Sequence, residues 1–124
     1  MFRGMATIKS YRDLEAWQLG MSFVEHVYAL TASFPHEERF GLTSQLRRAA
    51  VSIPSQVAEG HQLGTRSYRH YVMLALGSQA ECETQLELAH RLKLAPHEQI
   101  EPVTTLAGRV GQVLHGLARS LPQT

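Results

Sequence analysis

The side chains able to do chemistry in this sequence are few, and their spacing decides what they could do. Glu87-Leu88-Ala89-His90 sets a carboxylate and an imidazole one helical turn apart, the spacing that builds di-metal sites inside some four-helix bundles. Such a site needs a second Glu-x-x-His and two further inward glutamates, and the sequence has no second copy, so no metal and no cofactor is expected. The seven histidines, His26, His36, His61, His70, His90, His97 and His115, show no zinc spacing and no cysteine pair. Cys82 is the one cysteine, and its place on an apolar stripe suits a small buried hydrophobe better than a nucleophile. Ser52 and Ser55 flank Pro54 with no base at an activating spacing. Gly108 and Gly111 interrupt an apolar stripe and form no phosphate-cradling loop. The chain therefore reads as a non-enzyme.

Two polar constellations remain. Arg47, His61, Arg66, Arg69 and His70, with Lys9 and Arg12 from the N-terminal side, offer the donors that phosphate contacts need, so RNA or DNA is one candidate partner. The net charge is only +1, from 12 Lys and Arg against 11 Asp and Glu, so distribution rather than total charge would have to carry such binding. The competing reading is a solvated charged face. At 100° per residue, Gln45, Arg48, Ser52, Gln56 and Glu59 fall on one edge of a helix, and Ser78, Glu81 and Gln85 line up on a later one. These two stripes are expected to face each other as a structural polar network, with Arg48 charge-paired to Glu59 or Glu81. The alternative is a binding pocket on Arg48, Glu59 and Glu81. Arg47 points to the opposite side and is expected to be free to meet a partner.

Four helices must position these groups. Ser10 and Asp13 have capping-box spacing ahead of Leu14, Trp17, Met21, Val24 and Thr31, which predicts a helix over about 11–32 that stops before Phe34-Pro35. A single turn is predicted at 35–39. The apolar line Leu42, Leu46, Ala49, Ile53 and Val57 predicts a second helix over about 42–61, kinked between Ala50 and Pro54 because proline cannot donate to the carbonyl of Ala50. Thr65 is a candidate N-cap for a third helix over about 66–92, with Tyr68, Tyr71, Ala75, Cys82, Leu86 and Ala89 as its main stripe. Ile100 to Leu121 supply one wide stripe for a fourth, over about 97–120, with Pro102 close to its start. Short connections favour an antiparallel up-down-up-down four-helix bundle, all-α, with a kinked second helix.

A chain of 124 residues, 44% hydrophobic and without linker or low-complexity tracts, suits one domain over 11–121 preceded by a flexible tail over 1–10. A lone cysteine, no secretory pattern and apolar runs too short for a bilayer point to a cytoplasmic protein with no membrane partner. A second apolar line on the third helix, Leu74, Leu88 and Leu92, together with Val51, exceeds what one bundle buries and marks a self-association surface.

The run FPHEERFGLTSQLRRAAVSIPSQVAEG from Phe34 to Gly60, supported by Asp13-Leu14, Trp17-Gln18, Gly77-Ser78, Glu81, Glu83 and Leu86, resembles the signature of a known family. This is the family of bacterial four-helix-bundle proteins encoded in 23S ribosomal RNA intervening sequences, related to the accessory variability determinant of diversity-generating retroelements. The resemblance spans about residues 11–121 and implies ring-shaped homopentamers of antiparallel bundles, whereas periodicity alone supports only self-association. Two functions follow from it: a nucleic-acid-binding or ribonucleoprotein accessory factor, or a structural ring that binds another protein, such as the polymerase of the retroelement relatives.

Overall fold

Helix stops in this chain are set by backbone chemistry at a few positions. The computed structural model describes residues 7–123. Within them lie four helices: α1 Glu15–Thr31, α2 Leu42–Leu63, α3 Thr65–Arg91 and α4 His97–Ser120. Single helical turns at Tyr11–Asp13 and His36–Glu38 precede α1 and α2. Residues 1–6 of the predicted tail and Thr124 lie outside the described residues.

The first helix begins later than its periodicity predicts. Ser10 and Asp13 do form the capping box, with Ser10 Oγ accepting from Arg12 N at 3.1 Å and Asp13 Oδ2 from Ser10 N at 3.1 Å. That box closes only the short Tyr11–Asp13 turn, because Leu14 adopts an extended conformation (ψ 132°) and separates the turn from α1. The backbone N–H groups of Lys9 and Ser10 hold the Asp13 carboxyl below its ordinary pKa.

The joint between α2 and α3 is also shorter than predicted. Thr65 is not the N-cap but the first residue of α3, and Gly64 alone separates the helices. Its φ of 99° is a left-handed value that a side chain disfavours. Gly64 N donates to Gly60 O at 3.2 Å, closing α2, while Gly64 O accepts from Ser67 N and Tyr68 N, opening α3. One residue thus caps two helices.

Contacts descend along one helix as they ascend along the next. His61 meets Tyr68, Gly60 meets Tyr71, and Gln56 meets Ser78. Thr31 meets Arg47 while Gly20 meets Pro54, and His90 meets His97 while Gln79 meets Ala107. Consecutive helices therefore run in opposite senses, and α4 returns to pack against α1. The fold is an all-α four-helix bundle. Phe23, Leu46, Ile53, Leu86 and Leu114 are the largest fully buried side chains, drawn from all four helices into one core.

α2 runs unbroken through Pro54, whose ring is buried against α1. A Cβ at Gly20 would sit 3.4 Å from both Cβ and Cδ of that ring, so the small residue accommodates the proline. Ser52 Oγ and Ser55 Oγ donate to the carbonyls of Ala49 and Val51, at 2.6 and 2.8 Å, which assigns both hydroxyls a backbone role.

Gly60 marks a close approach of α2 to α3: an added Cβ would lie 2.7 Å from Tyr71 Cβ and 3.2 Å from Tyr68 O. Gly108 has nothing within 4 Å of the same position. Gly60→Ala is therefore expected to destabilise the bundle by about 1–3 kcal/mol through overpacking. Gly108→Ala is expected to stabilise it by about 0.5–1 kcal/mol through helix propensity. Urea unfolding of both variants beside the parent chain checks the opposite signs.

Candidate functional site

The two adjacent arginines exchange the roles that sequence spacing gives them. Arg47, expected to be free, is half-buried and held by α1: its Nε donates to Thr31 Oγ1 at 2.7 Å, one terminal nitrogen donates to Tyr28 O at 3.4 Å, and its guanidinium lies 4.4 Å from the Tyr28 ring centroid. Thr31 is itself buried, with its hydroxyl donating to Val27 O at 2.8 Å. Arg48, expected to be paired inside, is exposed and forms no ion pair with Glu59 or Glu81 among the described residues. The neighbour that decides is α1, which the facing-stripe construction on α2 and α3 left out.

The predicted network is correspondingly smaller. Of its members, Ser78 and Gln85 are buried and Ser52 is half-buried, whereas Gln45, Arg48, Glu59 and Glu81 are exposed. The bond joining the two stripes is Ser78 Oγ to Gln56 Oε1 at 3.3 Å. A polar contact that the stripes did not predict lies beside it. Gln79 is buried, and its Nε2 donates to Ala107 O of α4 at 2.8 Å. The amide fits because residue 111 is glycine, where an added Cβ would fall 2.8 Å from Gln79 Nε2. Gly111 therefore seats a buried amide rather than merely interrupting a stripe, and a glycine inside an otherwise apolar helical stripe was the signal for it.

The basic cluster divides in two. Thirteen residue steps along α2, about 20 Å at 1.5 Å per residue, lead from Arg47 to Gly60 at the start of the joint. His61, Arg66, Arg69 and His70 stay together around Gly64, with Arg66 and His70 exposed and His61 and Arg69 half-buried. His61 packs edge-on to Tyr68, and His70 edge-on to Tyr71. None of the four joins an ion pair among the described residues. Beneath them Arg69 Nε and Tyr68 Oη are buried without a hydrogen-bond partner in the described residues, and burial raises the Tyr68 pKa.

At the other end of α3, Glu87 and His90 are exposed, and Glu87 accepts from Arg91 Nε at 2.9 Å. His97 Nε2 lies 2.6 Å from Glu101 Oε2, and no three metal-ligating side chains converge among the described residues. Cys82 is fully buried, and burial, reinforced by Glu81 and Glu83, pushes its thiol up to about 12. Val51, Leu74, Leu88 and Leu92, the predicted self-association residues, are 40%, 41%, 42% and 61% exposed. No helix among the described residues is long and apolar enough to cross a membrane.

Fold and surface together define a class: an all-α four-helix bundle with a basic inter-helix joint and exposed apolar side chains along α3. Within that class the family can be stated. The model of the 23S rRNA-intervening sequence protein family matches residues 12–116, and the chain belongs to this family. A crystal structure from Bacteroides thetaiotaomicron, described as a protein with unknown function from the S23 ribosomal protein family, has a similar fold. It superposes with a TM-score of 0.77 at 21% identity, covering 84% of this chain and 95% of that one. No curated protein matches the chain.

Two outcomes test this geometry. Arg47→Ala is expected to cost about 1–3 kcal/mol, because it removes charge-assisted bonds and a cation–π contact from a half-buried site. Arg48→Ala should stay within about 0.5 kcal/mol in the same urea titration, as for other exposed substitutions. For Cys82, the unfolded thiol ionises near its ordinary value of 9.0 and the folded one near about 12. The unfolded state therefore binds fewer protons between those values, and stability falls as pH rises through that window. Cys82→Ala should flatten this loss, and a thiol reagent at neutral pH should label Cys82 only in denaturant.

Proposed function

We propose that this protein is a self-associating accessory factor of RNA, a component of a ribonucleoprotein rather than an enzyme. The observation that carries the reading is the joint around Gly64, where His61, Arg66, Arg69 and His70 gather without an ion pair among the described residues, the Asp13 carboxyl being near enough to His61 to feel its charge. Arginine and histidine donors beside aromatic rings are the groups that RNA phosphates and bases recruit. The family's description ties it to 23S rRNA intervening sequences, which favours RNA over DNA as the ligand. The exposed Leu74 and Leu88 on α3 and Leu92 just past its end, with Val51 on α2, support assembly, and the ring of five implied by the sequence resemblance would repeat each basic joint around its rim. Repetition matters because a single copy has a net charge of only +1.

A second reading, a ring-shaped protein–protein adaptor without direct nucleic-acid contact, draws on the same apolar line. Leu92 at 61% exposure offers a protein partner more than it offers a phosphate backbone. A pulldown that returns protein alone, unchanged by nuclease, would favour this adaptor.

Binding of the full chain to single-stranded RNA is expected to weaken linearly in log Kobs against log salt, with a slope of about −0.7 for each phosphate neutralised. Arg66→Ala and Arg69→Ala should each make that slope shallower by about one contact. No binding at low salt would end the RNA reading. Sedimentation of the parent chain beside Leu88→Glu and Leu92→Glu tests the assembly, and a monomeric parent would end it.

A further inference from the structure

A second cationic concavity lies apart from the joint, at the opposite end of α2. It is an open hollow of about 490 Å³. Arg39, Arg47 and Arg48, the rings of Tyr28 and Phe40, and Val51 shape it, and no carboxylate lines it. Glu38, next to Arg39 in sequence, is engaged elsewhere: its Oε1 accepts from Leu42 N at 3.0 Å at the start of α2. Phe40 is 86% exposed, the most exposed large apolar side chain described, with the Arg39 guanidinium 5.3 Å from its ring centroid.

We infer that this concavity binds one nucleotide unit of single-stranded RNA, phosphate on the arginines and base on Phe40. The inference rests on the RNA reading above and gives it a second, chemically distinct contact. Arg47 is preorganised for the task, since Thr31 Oγ1 and Tyr28 O engage two of its five N–H donors and the Tyr28 ring fixes its plane. Arg48 is exposed, without an ion pair among the described residues, and can supply a second phosphate contact. The Phe40 ring supplies a stacking platform that accepts any base, because every base has a π-face. An acidic peptide would satisfy the arginines but would leave the exposed aromatic ring without a flat partner.

Fluorescence anisotropy of the full chain with a labelled oligouridylate, over a salt series, separates the contributions. Phe40→Ala should weaken binding roughly five- to a hundredfold with the salt slope unchanged, as for loss of a stacking contact. Arg48→Gln should make the slope shallower by about 0.7, as for loss of one phosphate. Both side chains are exposed, so both variants should keep the parent's helical circular dichroism. If the parent binds and Phe40→Ala stays within about twofold of it, this site is overturned while the RNA reading stands. If the parent does not bind, both fall. If Phe40→Ala lowers the mass of the assembly in sedimentation, the concavity belongs to a second copy of the chain and the RNA site is likewise overturned.

Discussion

The structure depends on how closely α2 and α3 are drawn together at Gly60. With Tyr71 Cβ only 2.7 Å from where a side chain would begin, the two backbones meet with nothing between them. Gly64 makes this approach possible, because a single left-handed residue turns the chain from one helix to the next without a loop. The consequence reaches the surface. A joint this short sets His61 and Tyr68 edge to face and leaves Arg66 and His70 on the outside of the turn, so the basic cluster is a product of close packing.

A second close approach acts in the same way on the other side of α3. Gln79 spends its amide on the Ala107 carbonyl of α4, and Gly111 leaves room for it. Burying an amide is costly without a partner and nearly neutral with one, so the bond resists sliding of α3 along α4 more than it adds stability. With Gly60 locking α3 to α2 and Gln79 locking it to α4, α3 is held on two sides. Its remaining face carries Leu74 and Leu88, with Leu92 just past its end.

The helices were legible because their apolar stripes are long, and periods of three and four residues leave little choice of element. Their ends were less so. Leu14 breaks the first helix although nothing in its side chain resists helix, and the second predicted N-cap, Thr65, lost to a glycine whose backbone could do more. The arginine pair shows why the site was harder than the fold. Adjacent helical residues point about 100° apart, so spacing separates Arg47 from Arg48 but does not say which side meets a neighbour. That was decided by Tyr28 and Thr31 on α1, whose alignment with α2 depends on the turn at His36–Glu38 and the fit of Gly20 to Pro54.

This exchange of roles changes what the Phe34–Gly60 segment does. Ile53 and Pro54 pack against Gly20 of α1, and Gly60 meets Tyr68 and Tyr71 of α3. Arg47 is spent partly on structure, while Arg39, Phe40 and Arg48 are left exposed. Phe40, 86% exposed, takes no part in the core, so the fold leaves its ring to solvent or to a partner. The α3–α4 turn, with Glu87 and Glu101, lies at the same end of the bundle, as the Ser33 to Gln99 bond shows, but none of its carboxylates lines the concavity. For an anion, the side chains that line a hollow matter more than the net charge of the chain.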